Sequence, residues 1–270
     1  MSKLLSVQVR RRVALITALL PFVAIWIGAA KAEDLAGPEP LVAAAADLQF
    51  ALPQIIRLFT SETGKRVRVT FGSSGNIASQ IRSGAPIALF LSADENLVLD
   101  LAKRGLTDGE GALYARGRIV LLVPPRSPLK LDASLADLAA ALADGRLKRF
   151  AIANPEHAPY GARAKEVLSS RGLWERIEPC LVLGENVSQT AQFALSGAAQ
   201  GGIIAHSLAL APEVAERADH VLIPEDWHTP LLQRMVLARN APDTARQLYQ
   251  FIQQPKSREI LARYGFVLPE

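Results

Sequence analysis

Four short stretches of small neutral residues stand where apolar runs give way to helical periodicity: Ala45-Ala46-Asp47, Gly72-Ser73-Ser74-Gly75-Asn76, Ser92-Ala93-Asp94 and Asn186-Val187-Ser188. Small residues let backbone N–H groups approach a ligand closely, and a helix that begins there adds partial positive charge. Such turns can hold an oxyanion without a lysine or an arginine. Taken singly, Ser, Asn and Asp at these places are ordinary helix caps; their recurrence in one chain is what points to a binding site. Other chemistry finds less support. Cys180 is the only cysteine, so there is no intramolecular disulfide and no CxxC motif. His157, His206, His220 and His228 form no HExxH or other close metal-ligand spacing. The Gly72 loop misses the G-x-S-x-G nucleophile elbow, and Ser127-Pro128-Leu129-Lys130 fits S-x-x-K without its companion motifs. A serine hydrolase using Ser74 and a distant histidine is the enzymic alternative. No P-loop or GxGxxG occurs, so no nucleotide cofactor is expected.

The turns need strands to precede them and helices to follow. Leu41–Ala45 reads as a buried strand, and Leu48, Leu52, Ile55, Leu58 and Phe59 fall on one helical face that Gly64 ends. Alternation at Val67, Val69 and Phe71 predicts a second strand, with a helix from about 76 to 83; strand 87–91 and helix 95–104 follow. The second half repeats the pattern without repeating the sequence. Strands are predicted at 119–123, 149–153, 180–183, 202–205, 220–223 and 231–237, and helices at 134–143, 162–171, 188–195, 243–252 and 257–264. This alternation predicts an α/β protein with mostly parallel sheets flanked by helices, and the length favours two lobes. Ligands in open α/β sheets bind beyond the carboxyl ends of strands, which places the site in the cleft between the lobes.

Half of the 270 residues are hydrophobic and 21% are charged, a composition that excludes a disordered chain. Of the 30 basic residues, Lys3, Arg10, Arg11, Arg12 and Lys31 lie in residues 1–32, which hold no acid; the remainder carries 25 bases against 26 acids. A near-neutral body argues against a nucleic-acid partner, which would call for a basic excess. The basic start, the apolar run Val13–Ala30 and Ala30-Lys31-Ala32 read as a secretory signal cleaved after Ala32, the competing reading being a membrane anchor. No lipobox cysteine stands near that site.

Several motifs occur together and in order: Val42-Ala-Ala-Ala-Ala-Asp-Leu48, Thr70-Phe-Gly-Ser-Ser-Gly-Asn-Ile77, Gly84-Ala-Pro-Ile-Ala-Leu-Phe-Leu-Ser-Ala-Asp94, Asn154-Pro-Glu-His-Ala-Pro-Tyr-Gly161, Glu185-Asn-Val187 and Arg263-Tyr-Gly-Phe266. With these the chain resembles the periplasmic molybdate-binding proteins of ABC importers, across essentially its whole length after the signal. The resemblance implies a type II periplasmic-binding-protein fold, with lobe I formed by residues 33–118 and 229–270 and lobe II by 119–228. It also implies a periplasmic monomer that captures molybdate or tungstate through neutral donors and delivers it to an ABC permease, with no catalysis.

Carried over by motif, the oxyanion contacts are the Ser74 hydroxyl and N–H, and backbone positions at Ala93, Tyr160 and Val187. Ala88 departs where relatives often carry Asp, at the start of a strand, where the change is expected to concern packing; two departures fall at the ligand. Asp47 stands where such proteins commonly place serine, and Ala205 where many place a tyrosine. Asp47 is expected either to cap the helix that starts beside it or to face the ligand, where a carboxylate opposite a dianion is costly unless protonated, paired or turned away. His206, beside Ala205, is expected either to supply a compensating donor as the imidazolium or to sit as a satisfied histidine at a strand end. The alternative function is the same fold binding a different small solute because of Asp47 and Ala205.

Overall fold

The computed structural model describes residues 39–269, so the expected signal segment, 1–32, lies outside the described residues. Among the described residues, ten strands form two five-stranded sheets. The first contains β1 (Leu41–Ala45), β2 (Arg68–Gly72), β3 (Ile87–Ser92), β4 (Ala112–Gly117) and β10 (Leu231–Leu237), in the order β2-β1-β3-β10-β4. The second contains β5 (Ile119–Val123), β6 (Phe150–Ala153), β7 (Leu181–Gly184), β8 (Gly202–Ala205) and β9 (Asp219–Leu222), in the order β7-β6-β8-β5-β9. The helices are α1 (Ala51–Thr63), α2 (Ser74–Arg82), α3 (Glu95–Lys103), α4 (Ala136–Ala143), α5 (Pro159–Ser170), α6 (Trp174–Ile177), α7 (Val187–Leu195), α8 (His206–Ala209), α9 (Pro212–Ala215), α10 (Asp243–Ile252) and α11 (Pro255–Arg263).

The expected two-sheet α/β architecture is present, and each sheet is mixed. β1 runs parallel to β2 and β3, whereas β10 is antiparallel to β3 and β4. In the second sheet β6 is parallel to β7 and β8, and β5 is antiparallel to β8 and β9. Strand β4 carries no clear hydrophobic alternation, and pairing with β10 rather than local pattern makes it a strand. From β1 the chain passes to β2 on one side and then to β3 on the other, and from β6 to β7 and then β8 in the same way, so a crevice opens at the carboxyl end of β1 and of β6.

The faces of the first sheet are sealed by different helices. On one, Leu52, Ile55 and Phe59 of α1 pack with Leu248 and Phe251 of α10, the Phe59 and Phe251 rings meeting edge-on at 5.4 Å. Each such fully buried side chain contributes about 1.5–3 kcal/mol of transfer free energy. On the other, Ile77 of α2 and Val98 and Leu101 of α3 cover Ala43 and Phe90. The core of the second sheet extends to Ala45, Ala46, Ala93 and Leu231 of the first, so the ends of β1 and β3 pack directly against it.

Helix starts are fixed by local chemistry. Asp94 accepts the Asn96 N–H at 2.9 Å to start α3, and Asn186 accepts those of Ser188 and Gln189 at 3.0 Å to start α7. Pro159 occupies the first position of α5, where its missing N–H costs nothing.

Candidate oxyanion site

A small cavity lies where the ends of the two sheets meet, lined by Ala45, Ala46, Gly72, Ser73, Ser74, Ala93, Ala158, Pro159, Tyr160, Asn186 and Val187. The enclosed space is small, far below the ~300–1000 Å³ of sites for larger ligands. A wider groove along α5 is bordered instead by the charged side chains of Glu156, Lys165, Glu166 and Asp226. The small cavity is therefore the candidate site.

Four residues expected from the sequence, Ser74, Ala93, Tyr160 and Val187, come together here. Ser74 begins α2, Tyr160 lies in the first turn of α5 and Val187 begins α7, so three helix N-termini point their positive ends at one place. The N–H groups of Ser74, Tyr160 and Val187 find no acceptor among the described residues; the Asn186 side chain takes those of Ser188 and Gln189 and leaves that of Val187 free. Ser74 Oγ accepts the Ala93 N–H at 3.0 Å, which keeps the hydroxyl hydrogen for donation. Among the described residues, no lysine, arginine, aspartate or glutamate lines the cavity. The arrangement offers neutral, preorganised donors to an anion.

Both sheets contribute, and hydrogen bonds cross between them beside the cavity. Ser73 Oγ donates to the His157 carbonyl at 2.6 Å, and the Gly75 N–H reaches the same oxygen at 3.0 Å. Asn76 Nδ2 donates to Glu185 at 3.1 Å, and Ser188 Oγ pairs with Gln49. A Cβ on Gly75 would stand 2.5 Å from the His157 carbonyl oxygen, so only glycine permits this approach.

Asp47 is buried, at 1% exposure, but neither lines the cavity nor caps a helix. It lies within a 3₁₀ turn, Ala46–Leu48, and its Oδ2 accepts Tyr160 Oη at 2.8 Å and Gln233 Nε2 at 2.6 Å. The expected cap is thus replaced by a buried side-chain network. Gln233 also accepts the Tyr114 hydroxyl at 2.7 Å. Burial raises the Asp47 pKa from 3.8 to about 6, against the opposing pull of Gln233, Tyr160 and the nearby Asp47 and Leu48 N–H groups. Burial, reinforced by the Asp47 charge, pushes the Tyr160 and Tyr114 hydroxyls well above their ordinary value, so both remain donors. Gln233 was not expected from the sequence; it lies 186 positions from Asp47 and has no local signature.

His206 begins α8 and does not line the cavity; its ring lies 5.5 Å from that of His220. Burial, with a smaller push from His220, lowers its pKa, away from the imidazolium expected of a compensating donor. Ala205 ends β8, also outside the lining. The neighbouring Ser207 Oγ donates to the Asp47 carbonyl at 2.8 Å. No histidine bonds Ser74 among the described residues; His157 Nδ1 stands 2.9 Å from Ser73 Oγ instead.

The sequence pattern of the bacterial extracellular solute-binding proteins matches residues 40–267. The chain belongs to this family. Among solute-binding proteins it is 35% identical to the molybdate-binding protein ModA of Rhodobacter capsulatus, over 86% of this chain and 89% of that one. It is 30% identical to ModA of Escherichia coli, over 84% of this chain and 88% of that one. The periplasmic molybdate-binding protein of Azotobacter vinelandii superposes with a TM-score of 0.77 at 28% identity, over 86% of this chain and all of that one. Family and fold are those of solute-binding transport proteins rather than enzymes, which sets aside the hydrolase alternative.

Proposed function

We propose that this protein is the extracytoplasmic binding component of an ABC importer, capturing molybdate or tungstate and delivering it to a membrane permease. The observation that carries the reading is the convergence of unpaired N–H groups from α2, α5 and α7, with the Ser74 hydroxyl, on a small cavity free of charged side chains among the described residues. A tetrahedral dianion takes several charge-assisted hydrogen bonds there, and exclusion of water strengthens each of them. Selection against sulfate follows from size, because a fixed ring of donors fits one ligand radius best. The similarity to molybdate-binding relatives supports the same ligand.

In this reading the protein is exported to the periplasm, cleaved after Ala32 and works as a monomer. Residues 33–118 with 229–270 form lobe I and residues 119–228 lobe II, with the crossings near Arg118–Leu121 and Pro224–Thr229 as hinges. Asp47 turns its carboxylate toward Tyr160 and Gln233, which leaves the cavity open to a dianion.

Calorimetric titration of residues 33–270 with molybdate, tungstate, sulfate and phosphate tests the reading. Tight one-to-one binding of the first two alone is expected; silence with all four would redirect the search to other solutes. Ser74→Ala should weaken binding by about 1.5–3 kcal/mol, roughly 10- to 100-fold, the range for a hydrogen bond to a charged group. Wild-type affinity in that variant would remove Ser74 from the site.

A further inference from the structure

The Asp47 carboxylate is buried among neutral partners from both sheets. Its own 3₁₀ turn follows β1, while Gln233 and Tyr114 come from β10 and β4, all on the first sheet. Tyr160 comes from α5, which follows β6 of the second. The Tyr160–Asp47 hydrogen bond therefore spans the cleft. Tyr160 also presents its backbone N–H to the cavity, so a single residue touches both the anion site and the carboxyl.

Among the described residues, no positive charge pairs with Asp47. Of the elements packed against it, α7 carries no titratable residue, α8 offers only His206, which faces His220, and the single charge on β2, Arg68, is exposed. On β10, β4 and α5, Arg234, Arg116 and Arg163 pair with Glu95, Glu225 and Glu166, and Lys165 lies over the Trp174 ring. Oδ1 of Asp47 has no hydrogen-bond partner among the described residues. Separating the sheets would withdraw Tyr160 and admit water to the carboxyl. A carboxylate with one unsatisfied oxygen and no cation is far better accommodated in water than in this closed seam.

We propose that closure around the anion takes up a proton on Asp47, so that the protein binds the oxyanion and a proton together. The inference rests on the proposed oxyanion site. Its sign follows from geometry and linkage: the closed form favours the neutral carboxyl and the open, hydrated form favours the carboxylate. Closure is thus helped at acidic pH and loses that help as pH rises through the closed-form value of about 6.

The test is calorimetry of the mature protein with molybdate at low concentration, at several pH values and in buffers of differing ionisation enthalpy, which counts protons taken up per anion. With 3.8 for the hydrated carboxyl and about 6 for the closed form, wild type should take up about 0.7 proton near pH ~5.5 and almost none near pH ~8. Affinity should be about fourfold tighter at the lower pH. Asp47→Asn should abolish that uptake and flatten the pH dependence; any proton bound by the anion itself is common to both proteins and cancels in the difference. Tyr160→Phe, which keeps the backbone donor and removes a bond that favours the carboxylate, should move the uptake window to higher pH. Binding with the same proton count in wild type and Asp47→Asn would overturn the inference while leaving the anion site standing. If the Asp47→Asn variant fails to fold, an unmoved window in Tyr160→Phe would overturn it instead. No binding by wild type at any pH would overturn the proposed site, and the inference with it.

Discussion

The two sheets share one topology but use their turns differently. Strand β1 corresponds to β6, β2 to β7 and β3 to β8, and each is followed by a turn at the interface. The first two pairs all reach the cavity: Ala46 and Tyr160 after β1 and β6, Ser74 and Val187 after β2 and β7. The third pair diverges. Ala93 after β3 lines the cavity, whereas Ala205 and His206 after β8 do not, and the helix there spans only His206–Ala209. That turn instead sends Ser207 to the Asp47 carbonyl and so holds the opposite sheet in place. Equivalent positions in a repeated topology can thus divide between binding a ligand and bracing its neighbour.

The strongest way to break this comparison is Gly75→Ala. Its Cβ would strike a backbone oxygen of the other sheet, 2.5 Å away, and only when the two are apposed. Anion affinity should fall by about 100-fold, from about 3 kcal/mol of overpacking confined to the closed form. Thermal unfolding without anion should change little; a large loss there would mean that the sheets meet regardless of ligand. A milder probe compares the caps of the two sheets. Asn186→Ala and Asp94→Ala should each cost about 1 kcal/mol of stability in denaturant titrations. Only Asn186→Ala should also weaken anion binding, by several-fold, because fraying α7 misplaces the Val187 N–H while Ala93 is held by Ser74. The smallest effect is expected at the diverged turn: His206→Gln should leave affinity within about twofold of wild type. A tenfold loss there would restore that turn to the site.

The parts of the site that sequence alone exposes are those made locally. A strand, a few small residues and a helix start are adjacent in the chain, so the turns at Gly72–Asn76, Ser92–Asp94 and Asn186–Ser188 are visible without a structure. The helix limits were less visible: α2 and α5 begin two and three residues before the positions expected from apolar spacing, which brings Ser74 and Tyr160 into their first turns. Apolar spacing marks a helix only once apolar side chains recur, as from Ile77 in α2, whereas α2 follows directly on the extended Ser73 and α5 opens with Pro159 at its first position. The orientations of Asp47 and His206 depend on Gln233, Tyr160 and His220, which are distant in sequence or set by the fold, and no local pattern could settle them. Strand β4 escaped for the same reason, since its ladder partner, β10, begins at Leu231.

That placement of β10 bears on the order in which the molecule can assemble. The second sheet is complete within residues 119–222, a continuous stretch of chain. In the first, β3 and β4 do not pair with each other, and the strand that joins them arrives after the whole second sheet has been made. Closing so long a loop delays its reward. The part of the protein nearer the amino terminus is therefore the one that must wait, with the edge of β3 unpaired until the chain is nearly finished.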